Sequence, residues 1–156
     1  IRFEENKTRP MGRNASGVRG VRLKDQKDEV VGMISVNDMD SDILVVSENG
    51  YGKRSKLEDY RITNRGGKGV KTISITEKTG TLVSLKNVSD GDDLMIINKS
   101  GIAIRMEVNT LRVMGRATQG VRLINIKDND SIAAVAKVVL DDQEVTDIEE
   151  IDVVED

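Results

Sequence analysis

An all-β array of repeated blades is the fold class this sequence predicts, on three observations. A loop motif occurs three times, RPMGRNASGVR at 9–19, RITNRGGKGVK at 61–71 and RVMGRATQGVR at 112–122, offset by 52 and then 51 residues. Short Val- and Ile-rich runs, bounded by Gly, Asn and Asp turn signals, fill the intervals between the copies. No segment keeps apolar residues at i, i+3, i+4 and i+7, so helix is expected to be scarce. A fixed period of this length with about four short antiparallel strands is the plan of a propeller-like array of four-stranded blades. Three periods predict about three blades in an open arc, with apolar surface left unsatisfied at one end.

Taken in order, Ile1 to Phe3 reads as the end of a strand, and a start in mid-repeat is expected of a segment of something longer. Residues 4–16 hold the chain's only proline and read as a connecting loop. Strands are predicted at 18–24 and 30–36, on either side of a charged turn, and then at 43–47 and 51–57. Asn49 and Gly50 between the last two form a hairpin signal, because both central residues of a type I′ turn need positive φ. The second period repeats the plan with strands at 71–76, 81–88, 94–98 and 102–108, and the third begins it again at 121–126 and 132–139. Apolar positions keep step after each loop: Val18, Val21 and Leu23, then Val70, Ile73 and Ile75, then Val121, Ile124 and Ile126. Residues 1–140 are therefore read as three repeats, the first truncated, and 141–156 as an acidic tail without fixed structure.

Composition narrows the chemistry. Cysteine and histidine are absent, which excludes a disulfide framework and the usual zinc, haem and iron–sulfur ligand sets, and suits a reducing compartment. No apolar run approaches a membrane span. The DxDxD run at 38–42 resembles the start of a calcium loop, but Ile43 stands where that loop needs glycine and Asn49 where it needs glutamate. Without histidine or a nucleophile–base pair, no catalytic site is expected. The net charge of −3 conceals an asymmetry: residues 141–156 carry nine of the 27 acids and no base, leaving 18 acids against 24 bases in the body, a balance of +6. A basic body with an acidic tail is the pattern of nucleic-acid binders and of proteins that regulate such binding internally.

Half of the bases fall into four columns that stay basic in every copy: Arg2/Arg54/Arg105, Arg9/Arg61/Arg112, Arg13/Arg65/Arg116 and Arg19/Lys71/Arg122. Because an unpaired buried charge is costly, such columns are expected on the surface, forming a rim stripe suited to a phosphate backbone. Lys53 and Lys68 add to the same bias around the middle copy. Gly12, Asn64 and Gly115 share one column and Gly17, Gly69 and Gly120 another; both are expected to mark positive-φ turns. Gly66, Gly67 and Gly69 are expected to leave backbone N–H groups open to a phosphate between Arg65 and Lys68. Aromatic residues make up only 2% of the chain, so base stacking of the kind single-strand binders use is poorly supplied.

At these residues the chain resembles the C-terminal domain of the DNA gyrase A protein. The likeness rests on MGRNASGVRGVR at 11–22, NGYGKR at 49–54, RGGKGV at 65–70 and VMGRATQGVR at 113–122, and it extends from Ile1 to Val139. It implies a β-pinwheel whose neighbouring blades exchange a strand and whose basic rim wraps duplex DNA, with this chain matching the last three blades and the acidic end. The family's signature heptapeptide is QRRGGKG; TNRGGKG at 63–69 keeps five of its seven positions and reads as a degenerate copy in a later blade. The resemblance also implies double-stranded DNA, the rest of the gyrase A protein and the gyrase B protein as partners, and a bacterial cytoplasmic, chromosome-associated location. It implies no cofactor in this segment, ATP and Mg being held by the B protein of an ATP-dependent topoisomerase. The equivalent protein of topoisomerase IV and a propeller-like protein-interaction scaffold are the alternatives.

Overall fold

The computed structural model describes residues 1–127 and 129–138. The expected acidic tail at 141–156, and the end of the last strand at Val139, lie outside the described residues. Seven strands are formed: β1 (Asp42–Ser47), β2 (Tyr51–Lys56), β3 (Leu82–Val88), β4 (Asp93–Asn98), β5 (Ala103–Glu107), β6 (Val121–Arg122) and β7 (Ile132–Val138). Helix among the described residues is confined to three single 3-10 turns, Glu5–Lys7, Leu57–Asp59 and Val108–Thr110, which follow the period of the loops.

The strands form two antiparallel sheets, ordered β3-β1-β2-β6 and β5-β4-β7. Each is built on a hairpin, β1–β2 or β4–β5, to which the following period adds an outer strand, β3 or β7. The first sheet takes its fourth strand from further on, where Tyr51 pairs with Arg122 and Gly52 with Val121. A blade is therefore not one period, as the even strand count per period suggested: the first sheet draws strands from three successive periods. Only two periods supply a hairpin for a sheet. The runs at 18–24, 30–36 and 71–76, expected as strands, have no ladder, and 121–126 shortens to its first two residues. The 30–36 run has the composition of β3 and β7, but residues 1–29 form no hairpin for it to pair with. Met33 there is 89% exposed.

Both faces of β1 are covered, which explains its unbroken apolar run. Leu44 and Val46 point into a core shared with Leu94, Ile96, Ile132 and Val135 of the second sheet and with Val108 and Leu111 just after β5. Ile43 and Val45, alternating with them, pack on the other side with Leu57 and Ile73, over Ile34 and Val36 of the first period. Burial of these side chains, each contributing about 1.5–3 kcal/mol, joins successive periods into a stack.

The hairpin turns differ from expectation in one respect. Gly50 has φ of 77° and Gly101 of 87°, and neither Asn49 nor Ser100 has positive φ. With Gly50 N–H donating to Ser47 O (3.0 Å) and Gly101 N–H to Asn98 O (3.1 Å), both are three-residue connections closing on a left-handed glycine rather than type I′ turns. Asn49 serves otherwise, its side-chain amide donating to the carbonyls of Glu77 and Lys78 in the next period.

Candidate nucleic-acid interface

The fold sorts the four basic columns by what each side chain can reach. The column Arg2/Arg54/Arg105 is not a surface stripe. Arg54 is 8% exposed; its Nε donates to the Leu111 carbonyl at 2.5 Å, and its guanidinium pairs with Asp42 (3.6 Å) and bonds Asp90. One period earlier, Arg2 donates to the carbonyls of Leu57 (3.0 Å) and Tyr60 (3.2 Å). Tyr60 and Leu111 are equivalent positions, so the two arginines form the same bond to the loop that follows one period on. The backbone repeats it: Thr63 N–H donates to Arg2 O and Met114 N–H to Arg54 O, each at 2.9 Å. Arg105 has no later copy in this sequence to reach; it donates to Asp93 at 2.6 Å and stays half exposed. A buried charge is tolerated at Arg54 because a carbonyl and two carboxylates replace the water it gave up.

Lys53 is the second correction. Only 1% exposed, its ammonium donates to the carbonyls of Gly115 (2.6 Å) and Arg116. Burial pushes its pKa down to about 8, against the raising influence of Asp59.

Arg13/Arg65/Arg116 is a column of loop-to-loop contacts. Arg65 donates to Arg19 O at 2.9 Å and to Lys7 O at 3.1 Å, and Arg116 to Lys71 O at 2.5 Å. Each grips the carbonyl of the residue that ends the preceding copy of the motif. Arg13 is exposed, with no copy before it in the sequence. Within RGGKG, Gly66 N–H is not open to a phosphate, being spent on Gly20 O at 2.7 Å. Lys68 remains exposed.

The glycine columns divide as well. Gly17, Gly69 and Gly120 have φ of 77°, 77° and 84°. A Cβ at Gly120 would lie 2.5 Å from Gly52 O, so the third copy of the motif runs tightly beside β2, and one at Gly69 would lie 3.0 Å from Ile1 N. Gly12, Asn64 and Gly115 are not at positive φ, contrary to expectation, because that part of the loop makes no left-handed turn.

What remains outward-facing is Arg9/Arg61/Arg112 and most of Arg19/Lys71/Arg122. Arg9, Arg61 and Arg112 are exposed, and among the described residues none forms a side-chain hydrogen bond or has a carboxylate within 4 Å. Arg19 and Lys71 are likewise without an acid partner among them, while Arg122 donates to the Tyr51 hydroxyl at 2.9 Å and lies 5.3 Å from its ring centre. The 112–122 loop touches β2 twice: Val113 forms a parallel bridge to Arg54, whose carbonyl accepts from Met114 N–H, and Val121–Arg122 pairs antiparallel with Tyr51 and Gly52. Arg112 is thereby held beside the middle of β2 and Arg122 beside its first residue. The arrangement offers exposed cations that recur once per period. In sequence, two signals separated buried bases from exposed ones. Asp42 and Asp93 repeat with the Arg54 column, and the residues equivalent to Lys53 are Ile1 and Ile104.

A family model described as DNA gyrase C-terminal domain, beta-propeller, matches residues 1–37, 41–89 and 92–138. The chain belongs to the DNA gyrase C-terminal domain family. It is 48% identical over 158 residues to the DNA gyrase A protein of Staphylococcus aureus strain MRSA252, and 47% identical over 152 residues to that of strain NCTC 8325. All of the chain aligns with the first and 96% with the second, but it spans only 18% and 17% of their lengths. Among solved structures, a DNA gyrase A C-terminal domain superposes with a TM-score of 0.79 at 30% identity, over 88% of this chain and 46% of that one. The C-terminal domain of DNA topoisomerase IV gives 0.81 at 22% identity, covering 88% of this chain and 42% of its own, a likeness of fold. The all-β blades agree with the beta-propeller of that family.

Proposed function

We propose that this module binds duplex DNA along the Arg9/Arg61/Arg112 column and bends it, as the non-catalytic DNA-wrapping part of a gyrase A protein. The observation that carries the reading is the fate of that column: exposed in all three periods, while its neighbours are consumed inside the fold. Arg19, Lys71, Arg122, Lys68 and Arg13 supply further phosphate contacts beside it. Arg2, Lys53, Arg54, Arg65, Arg105 and Arg116 support the surface rather than touch the ligand. Partners in this reading are duplex DNA, the rest of the gyrase A protein, and the gyrase B protein with its ATP and Mg, in the bacterial cytoplasm. Among the described residues no helix is long and apolar enough to cross a membrane.

Bending a short duplex costs on the order of 1–6 kcal/mol, offset by phosphate contacts distributed along the bend. Binding is then nearly sequence-independent and strongly salt-dependent. The test replaces Arg9, Arg61 and Arg112 together with alanine. Each lost phosphate contact removes about 0.9 from the slope of log K against log salt, so the triple variant flattens it by roughly 2–3. Lys24, Lys27 and Lys99, exposed and outside the columns, serve as a charge-matched control. Equal weakening by both triples, or a bound duplex found straight by end-to-end fluorescence transfer, would overturn wrapping.

A further inference from the structure

Arg122, Lys78 and Lys127 converge on a cavity of about 240 Å³ whose floor is Tyr51 and whose remaining wall is Asn49, Ile126, Asn129 and Asp130. Lys78 Nζ lies 5.4 Å from the centre of the Tyr51 ring, and Arg122 lies 5.3 Å from it. Arg122 donates to the Tyr51 hydroxyl through both Nε (3.3 Å) and Nη2 (2.9 Å). The hydroxyl is thereby occupied as an acceptor, and its own proton is left for another group. Three cations face one acid among the described lining residues, and that acid is engaged elsewhere. Asp130 accepts from Ser100 Oγ (2.7 Å), Ser100 N (3.2 Å) and Ser131 N (2.8 Å). Asn129 sits at φ of 68°, a left-handed conformation that an asparagine tolerates but that is uncommon outside glycine.

We propose that this cavity is a phosphate-binding site. Tyr51 O–H, Arg122, Lys78 and Lys127 come from three separate segments and supply charged and neutral donors around one void, as a tetrahedral anion requires. Arg122 lowers the Tyr51 pKa by its hydrogen bond, making the hydroxyl a better donor to an anion. The volume exceeds a phosphate ion and leaves room for the sugar of a phosphoester. The site is also local. Ile102 stands one period after Tyr51, so the constellation does not recur with the blades, unlike Arg9/Arg61/Arg112.

The experiment titrates the chain with inorganic phosphate by calorimetry, ionic strength being held with chloride. One saturable site is expected, weakened about tenfold by Tyr51→Phe and by Lys78→Gln, each removing one donor to a charged ligand. Lys99→Gln leaves it unchanged, and thermal melts check that each variant is folded. No saturable heat, or heat unaltered by both variants, overturns the proposal. Two further arms identify the source of the phosphate. A nucleoside monophosphate that displaces phosphate, with duplex binding unchanged in Lys78→Gln, assigns a free phosphoester. A salt slope for duplex binding lowered by about 1 in Lys78→Gln assigns a backbone phosphate. Alanine at Arg9, Arg61 and Arg112 leaves phosphate binding intact, so failure of the wrapping reading and failure of this pocket are separable.

Discussion

Arg54 and Arg112 belong to columns of the same charge and the same period, yet the protein treats them oppositely. Arg54 is enclosed between a hairpin and the next loop, bonded to Leu111 O and paired with Asp42. Arg112, one residue beyond that carbonyl, stands exposed with no partner among the described residues. A recurring base in a repeat array thus serves one of two needs. It can tie one repeat to the next where backbone carbonyls would otherwise be orphaned, or it can present charge to a ligand. Periodicity alone does not distinguish them; what lies within reach of the side chain does.

The comparison breaks first at Arg54. Replacing it with alanine strands Leu111 O and leaves the buried Asp42 carboxylate with Lys56 alone, 3.1 Å away. Removing one partner of a buried pair costs about 3–5 kcal/mol. Thermal or urea unfolding of Arg54→Ala is expected to show that loss, whereas Arg112→Ala stays within about 0.5 kcal/mol. Comparable losses for both would erase the distinction.

How much of this was legible in the sequence follows the same division. The all-β class, the scarcity of helix and the six longest strands follow from turn signals and local composition. The runs at 18–24, 30–36 and 71–76 looked equally strand-like, but a strand needs a ladder partner, and pairing across periods is not written in the run itself. The site was half legible. Arg9, Arg61 and Arg112 are exposed as expected of a rim. Lys53 and Arg54 were misplaced because the rule against buried charge counts partners, and the carbonyls of Gly115, Arg116 and Leu111 are far away in sequence.

A second contrast lies between the glycine columns. Gly120→Ala forces a side chain to positive φ and into Gly52 O, 2.5 Å from the added carbon. Backbone strain alone costs of order 1–3 kcal/mol, and separation of β6 from β2 adds to it. At Gly12 an added Cβ meets nothing within 4 Å and φ is not positive. Gly12→Ala is therefore expected to be neutral or to stabilise by about 0.4–1 kcal/mol. Denaturant midpoints of the two variants measure the difference, and equal midpoints would mean that the tight approach of motif to hairpin is dispensable.

The smallest expected effect sharpens the contrast between buried and exposed bases through pH. Lys53 has a folded-state pKa of about 8, below its ordinary value of 10.5. Between these values the unfolded chain binds more protons than the folded one, so stability rises with pH across that window. Below pH 8 the ammonium is charged in both states and its desolvation penalty is borne in full; above the ordinary lysine pKa it is neutral in both and the penalty is gone. Water around the neighbouring Arg116 loop moderates the effect to about 1–2 kcal/mol. Lys53→Met keeps the length and removes the charge, at the expense of the bonds to Gly115 O and Arg116 O. Stability measured from pH 7 to 10 should then rise less in Lys53→Met than in the parent, by that amount. Lys71→Met, at an exposed position, is the control and should leave the parent's rise unaltered. A parallel pH course for the parent and Lys53→Met would show that Lys53 stays charged in the fold, and that its carbonyl partners replace the water it gave up.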